Sequence, residues 1–82
     1  MLVRVKLFGP MSRALGQPEV TVPLSYGAPT CATLRAELAE REPRLAHLLS
    51  GCRFAVNREF AAEERPIAAG DEIALIGFVS GG

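Results

Sequence analysis

Few residues of this 82-residue sequence combine a reactive type with a setting that would use it. Cys31 and Cys52 lie far apart, with His47 between them and no second cysteine close to either. Zinc centres and redox dithiols draw on close-set ligands such as Cys-x-x-Cys, so these read as two independent, partly buried thiols packing as small hydrophobes. His47 has no Cys, His or Asp beside it and reads as a surface or packing residue. Glu63-Glu64 and Asp71-Glu72 are adjacent acidic pairs on expected turns, which makes them solvated carboxylates rather than a pair held across a cleft. There is no glycine-rich phosphate loop, no Gly-x-Ser-x-Gly elbow and no His-Glu-x-x-His. What remains is the end of the sequence, "IALIGFVSGG", where an apolar strand gives way to Ser80, Gly81 and Gly82. A C-terminal carboxylate can be activated as an acyl-adenylate and then taken by a nucleophile. Glycines have no Cβ, so such a tail can thread a narrow active site and adopt any torsion there. Gly82 is therefore the candidate reacting residue and Gly81 its slim approach.

The rest of the composition narrows the setting for that chemistry. The length suits one domain with a modest core. Apolar residues make up 49% of it, and nine Lys and Arg balance nine Asp and Glu. A neutral globular domain has no electrostatic footprint for nucleic acid or an anionic membrane, so neither is an expected partner. No apolar run has the length of a membrane span, and "MLVRVKLF" interleaves charge with apolar residues unlike a signal-peptide core. The expected location is cytoplasmic, where a structural disulfide is disfavoured.

The elements that would hold the tail follow from periodicity. Leu2 to Phe8 alternates, with Val3, Val5 and Leu7 on one face and Leu2, Arg4, Lys6 and Phe8 on the other. "GPMSRALGQP" is a connection able to make one helical turn at "MSRAL". Glu19 to Leu24 alternates again, and the short link predicts an antiparallel pair. After the loop "SYGAP", Thr30 offers an N-cap and Cys31, Leu34 and Leu38 follow at helical spacing. Pro43 ends this helix at Arg41 or Glu42. Its outer side, Arg35, Glu37, Glu40 and Arg41, reads as a solvated face. "PRLAHLLSG" predicts a second short helix closed by Gly51. Arg53 to Asn57 is a third strand, "NRE" a turn, and a minor strand near Phe60 is expected. Glu72 to Phe78 is the last strand, with Ile73 and Leu75 inward and Ala74, Ile76 and Phe78 outward. It is apolar on both faces, so it belongs at the centre of the sheet, parallel to the first strand. The whole is an α+β domain: a mixed sheet of four to five strands wrapped around one main helix plus a short second one. That is the ubiquitin-like β-grasp architecture, expected over residues 1–78 with an extended tail at 79–82.

On the residues "LFGPMSRALG", "FAVNREFA", "AAGDEIALI" and "VSGG", nearly the whole sequence resembles the small, sulfur-carrying subunit of molybdopterin synthase. The resemblance implies that the last glycine becomes a thiocarboxylate. An adenylating enzyme akin to the ubiquitin-activating enzymes would use ATP and Mg to make the glycyl-adenylate, and a persulfide-bearing donor would supply the sulfur. The carrier itself would bind no cofactor stably and no metal. Its tail would enter the large synthase subunit and pass sulfur to cyclic pyranopterin monophosphate. The resemblance further places Phe8, Phe60 and Ile76, with Phe78, Val79 and Ser80 of the tail, against that large subunit; a core position stays open for each of the first three, and equally so for Phe60. Two departures stand near this surface. The family commonly has two prolines where this sequence has Gly77-Phe78, and often Arg-Glu where it has Ser12-Arg13. Alternative readings are a related carrier for thiamine or tRNA thiolation, or a non-catalytic ubiquitin-like binding domain whose Gly-Gly is inert.

Overall fold

The computed structural model describes residues 1–25 and 27–77. Strand β1 (Leu2–Leu7) buries Val3, Val5 and Leu7, and β2 (Glu19–Pro23) buries Val20 and Val22, as their alternation predicts. The two run antiparallel with Val3 opposite Val22 and Val5 opposite Val20. Between them lies a helix, α1 (Pro10–Leu15), longer than the single turn expected. Pro10 opens it, and Gly16 closes it at φ 70, its N–H donating to the Ser12 carbonyl at 2.8 Å. That left-handed position suits a residue without a Cβ.

Helix α2 (Cys31–Arg41) begins where Thr30 was expected to cap it. The Thr33 N–H donates to Thr30 Oγ1 at 3.3 Å, and the Thr30 N–H donates back to Thr33 Oγ1 at 3.2 Å. The next free donors of the first turn, the Cys31 and Ala32 N–H groups, reach the carbonyls of Arg65 and Glu63. The stretch before the last strand thus closes the helix end. Cys31, Leu34 and Leu38 are buried, one turn apart. The expected second helix divides into α3 (Pro43–Ala46) and a 3₁₀ turn at Leu49–Gly51. The tighter turn lets Leu45 and Leu49 both enter the core while the chain swings directly into a strand at Cys52.

Strand β3 (Cys52–Val56) is joined to β4 (Glu59–Phe60) by Asn57 and Arg58 alone, with φ of 52° and 71°. Two positive φ angles in a two-residue loop are the geometry that matches the twist of a hairpin, and asparagine tolerates them well. This turn is why β3 lies one residue earlier than its expected span. Strand β5 (Ile73–Gly77) sits in the middle of a five-stranded sheet of order β2-β1-β5-β3-β4, parallel to β1 and antiparallel to β3. Its inner residues Ile73 and Leu75 are buried, while Ala74 and Ile76 are half-buried on the side away from the core. The core gathers the inner faces of the strands with Met11, Leu34, Leu38, Leu45 and Leu49 from the helical segments. The opposite face of the sheet is open. The expected end of the domain at residue 78, and Tyr26 of the "SYGAP" loop, lie outside the described residues.

One expectation is corrected. Arg35 does not belong to a solvated helix face: its side chain keeps only 23% of its exposure. Its guanidinium donates to the carbonyls of Leu49 and Cys52 and, through two nitrogens at 2.9 Å each, to both oxygens of Glu63. It also lies 5.2 Å from the Phe54 ring centroid. Helical periodicity shows which side of α2 its neighbours leave bare, but the cover here comes from residues distant in sequence. Glu63 is accordingly a fixed partner rather than a solvated turn residue. Arg41, with its 2.7 Å bond to Glu37 one turn back, does lie on the outer face as expected.

Arg35→Ala is expected to lower the unfolding free energy by about 2 kcal/mol, because two partly buried carbonyls lose their donors. A lower urea midpoint at unchanged slope would record it. The hydrogen bond from Arg35 holds the Glu63 carboxyl below its ordinary value of 4.5. Its contribution is complete above that value and is lost as pH falls through the folded one. Glu63→Gln should therefore flatten part of the acid limb of stability, with Asp71, whose carboxyl is also held low, supplying another part.

Candidate functional site

The chain passes from β5 into residues 78–82 at one end of the sheet. Because β1 and β5 are parallel, with Leu7 beside Leu75, this is the end where Phe8 follows β1. Strand β3 runs the other way, so its beginning lies here too: Cys52 is opposite Gly77 and Arg53 opposite Ile76. The sequence candidates Phe8 and Ile76 are thus brought to the same end. Phe8 stands just past the strand and is 50% exposed, while Ile76 is half-buried on the open face. Phe60, for which core and surface were both open, is 54% exposed and lies opposite Ala55 across the short β3–β4 pair. Ala55 is in turn opposite Ala74. Small alanines at the centre of the open face let Phe60 and Ile76 rise above it. Phe78, Val79, Ser80, Gly81 and Gly82 lie outside the described residues.

The other side of this end holds Gly77, one of the sequence departures. A Cβ on Gly77 would meet the Met11 methyl at 3.1 Å and the Cys52 sulfur at 3.9 Å. A side chain here would require the end of the Met11 side chain to give way by a few tenths of an ångström. Beside Gly77, between α1 and the segment after α3, lies a cavity of about 250 Å³ lined mainly by Pro10, Met11, Leu48, Gly51 and Cys52, with His47 at its rim.

Neither thiol is set up as a nucleophile. Cys31 and Cys52 are both buried, and loss of solvation pushes each thiol above its ordinary value. Glu63 pushes Cys31 the same way, while Arg35 pulls Cys52 partly back. The Cys52 thiol donates to the Leu48 carbonyl at 3.1 Å. A thiolate, the reactive form, is disfavoured in such surroundings. Among the described residues no group of three His, Cys, Asp or Glu is placed to hold a metal ion.

The second acidic pair is braced rather than free. Asp71 accepts from the Ala68 N–H at 2.8 Å and from Asn57 Nδ2 at 3.0 Å; these bonds, the first above all, keep its carboxyl below the usual range. Glu72 faces Lys6 at 3.5 Å and Arg58 at 3.8 Å. These contacts tie the β3–β4 turn to the start of β5. Sequence reasoning missed one residue of the open face, Arg53. Its guanidinium lies 5.0 Å from the Phe60 ring centroid. Only the strand register shows that the two meet, and no local pattern carries it.

A five-stranded mixed sheet with its last strand central and its helices on one face defines a ubiquitin-like β-grasp domain. Within that class the chain belongs to the ThiS family, which matches residues 5–82. It is 32% identical over 84 residues to the molybdopterin synthase sulfur carrier subunit of Chlamydomonas reinhardtii, covering 100% of both chains. The crystal structure of SAMP1 from Haloferax volcanii matches it with a TM-score of 0.83 at 29% identity, again over 100% of both. A chain in the complex of subunits 1 and 2 of molybdopterin-converting factor from Helicobacter pylori matches with a TM-score of 0.69 at 30% identity and full coverage. No helix among the described residues is long and apolar enough to cross a membrane.

Proposed function

We propose that this chain is a cytoplasmic sulfur carrier for molybdenum cofactor synthesis. The observation that carries the reading is the end-to-end match to a molybdopterin synthase sulfur carrier subunit. The geometry supports it, since the chain leaves the central strand for Gly81-Gly82 beside exposed Phe8 and half-buried Ile76. In this reading an adenylating partner joins the Gly82 carboxylate to AMP from ATP, releasing pyrophosphate, with Mg supplied in that partner's site. The outer sulfur of a persulfide-bearing donor then attacks the glycyl carbonyl and displaces AMP. A thiol reductively cleaves the resulting acyl disulfide, becoming a disulfide with the donor sulfur and leaving the thiocarboxylate on Gly82. The large synthase subunit receives the tail, and the sulfur passes to cyclic pyranopterin monophosphate. The chain's own contribution is presentation: a rigid sheet, an apolar docking surface and a tail without bulk. Buried Cys31 and Cys52 take no part in the relay.

Incubation with ATP, the adenylating partner and a sulfur donor is expected to yield an intact mass with one oxygen replaced by sulfur. A partner active on another carrier that never changes the mass of this chain would sink the reading. The likeness to a small archaeal modifier protein favours a second reading, in which the same adenylate is captured by a lysine amine of another protein. The same incubation with cell extract separates the two, because heavier species with Gly82 in an isopeptide bond would support the modifier.

A further inference from the structure

We propose that Arg53 sets the specificity of the open sheet face, by demanding a carboxylate on the large synthase subunit that covers it. This deepens the docking reading above and rests on it. Most cations of the described chain already have an anion. Lys6 and Arg58 face Glu72, Arg35 faces Glu63, Arg41 faces Glu37 and Arg44 faces Glu42. Arg53 has no carboxylate partner among the described residues, although it is exposed. Arg4, Arg13 and Arg65 likewise form no ion pair among the described residues. But Arg4 stands toward the other end of β1, opposite Thr21, Arg13 is on α1, and Arg65 lies in the stretch before β5, donating to the Pro66 carbonyl. Arg53 alone lies within the apolar surface: opposite Ile76 across the β3–β5 pair and stacked near the Phe60 ring.

That position has a physical consequence. A partner that covers Ile76 and Phe60 must also take water away from the guanidinium between them. Burying a charge without a counterpart is costly, and stacking on an aromatic face replaces only part of its hydration. The partner must therefore bring an acceptor. A carboxylate offers two oxygens to the planar fork, which is the strongest and most directional match available. A partner surface that is apolar alone would be rejected at this point, so the residue discriminates as well as attracts.

The test titrates wild type, Arg53→Leu, Arg53→Glu and Phe60→Ala against the large subunit at low and high salt, with circular dichroism as the control for folding. Arg53→Glu is expected to bind about a hundredfold more weakly and Arg53→Leu about tenfold. The salt dependence of wild type should shrink in Arg53→Leu. Replacing each exposed Asp or Glu of the large subunit by its amide should reveal one change that weakens wild type but not Arg53→Leu. If Phe60→Ala binds weakly while Arg53→Glu binds within about twofold of wild type, the face docks and this inference fails alone. If both bind as wild type does, the docking reading itself fails. Weakening confined to the adenylating enzyme, or Arg53-dependent self-association in sedimentation, would assign the carboxylate to a different partner and overturn the proposal. Should Arg53→Glu unfold, Arg53→Lys keeps the charge without the fork and is expected to lose affinity without losing the fold.

Discussion

Gly82→Ala is expected to bind the large subunit as tightly as wild type and yet to form and transfer the thiocarboxylate about a hundredfold more slowly or worse. In the proposed function the docking surface is on the sheet, so a methyl group on the last residue would leave it untouched. The reacting carbonyl is different. A Cβ restricts the backbone torsions open to the tail and adds bulk beside the carbon that the nucleotide and then the sulfur must reach. Misplacement of reacting atoms by about 1 Å is enough for losses of this size. Single-turnover assays of adenylation and of sulfur transfer, beside an equilibrium titration, check both halves of the statement. A variant that reacts at the wild-type rate would show that Gly82 is not the reacting residue, or that its lack of a side chain is immaterial. A variant that fails to bind would place the tail, not the sheet, in charge of docking.

The second large effect runs the other way. Phe8→Ala and Ile76→Ala are expected to weaken the complex about thirtyfold each, equivalent to about 2 kcal/mol, while leaving sulfur loading of the free carrier within about twofold. Phe8 is half exposed beyond the end of β1, so little of the fold depends on it. Ile76 is half-buried, and its loss should cost some stability as well, which thermal unfolding would separate from affinity. Wild-type binding by both variants would remove the patch from the interface. Outright unfolding of both would make these side chains core residues.

How much of this was legible beforehand depended on whether the signal was local. The alternation of Val3, Val5 and Leu7 and the two apolar faces of residues 73–77 were enough to place β1 on an inner face and β5 at the centre of the sheet. The Thr30 cap and the Asn57 turn were equally readable, because capping and left-handed backbone are properties of single residues in short contexts. What stayed hidden depends on contacts across the chain. Arg35 looked solvated until Leu49, Cys52 and Glu63 came around it. Phe60 could not be assigned a side while its strand was two residues long, and Arg53 became part of the face only through its register with Ile76. The splitting of "PRLAHLLSG" reflects the direction the chain must take into β3, which periodicity does not encode.

The central place of β5 also governs how the molecule is made. Val5 meets Ile73 and Val56 meets Ile73, so the strand that joins the two hairpins is made after the other four of the described sheet. Without it, β1 and β3 would each have an unpaired edge, and the strand order would leave two hairpins with no strand between them. Closure must then bring together segments from opposite ends of the chain, a slow kind of search that leaves sticky intermediates. A chain cut short before residue 73 would lack the strand that unites its halves, and with it the tail. The strand that unites the sheet and the proposed sulfur-bearing tail are therefore acquired within a few residues of one another in synthesis.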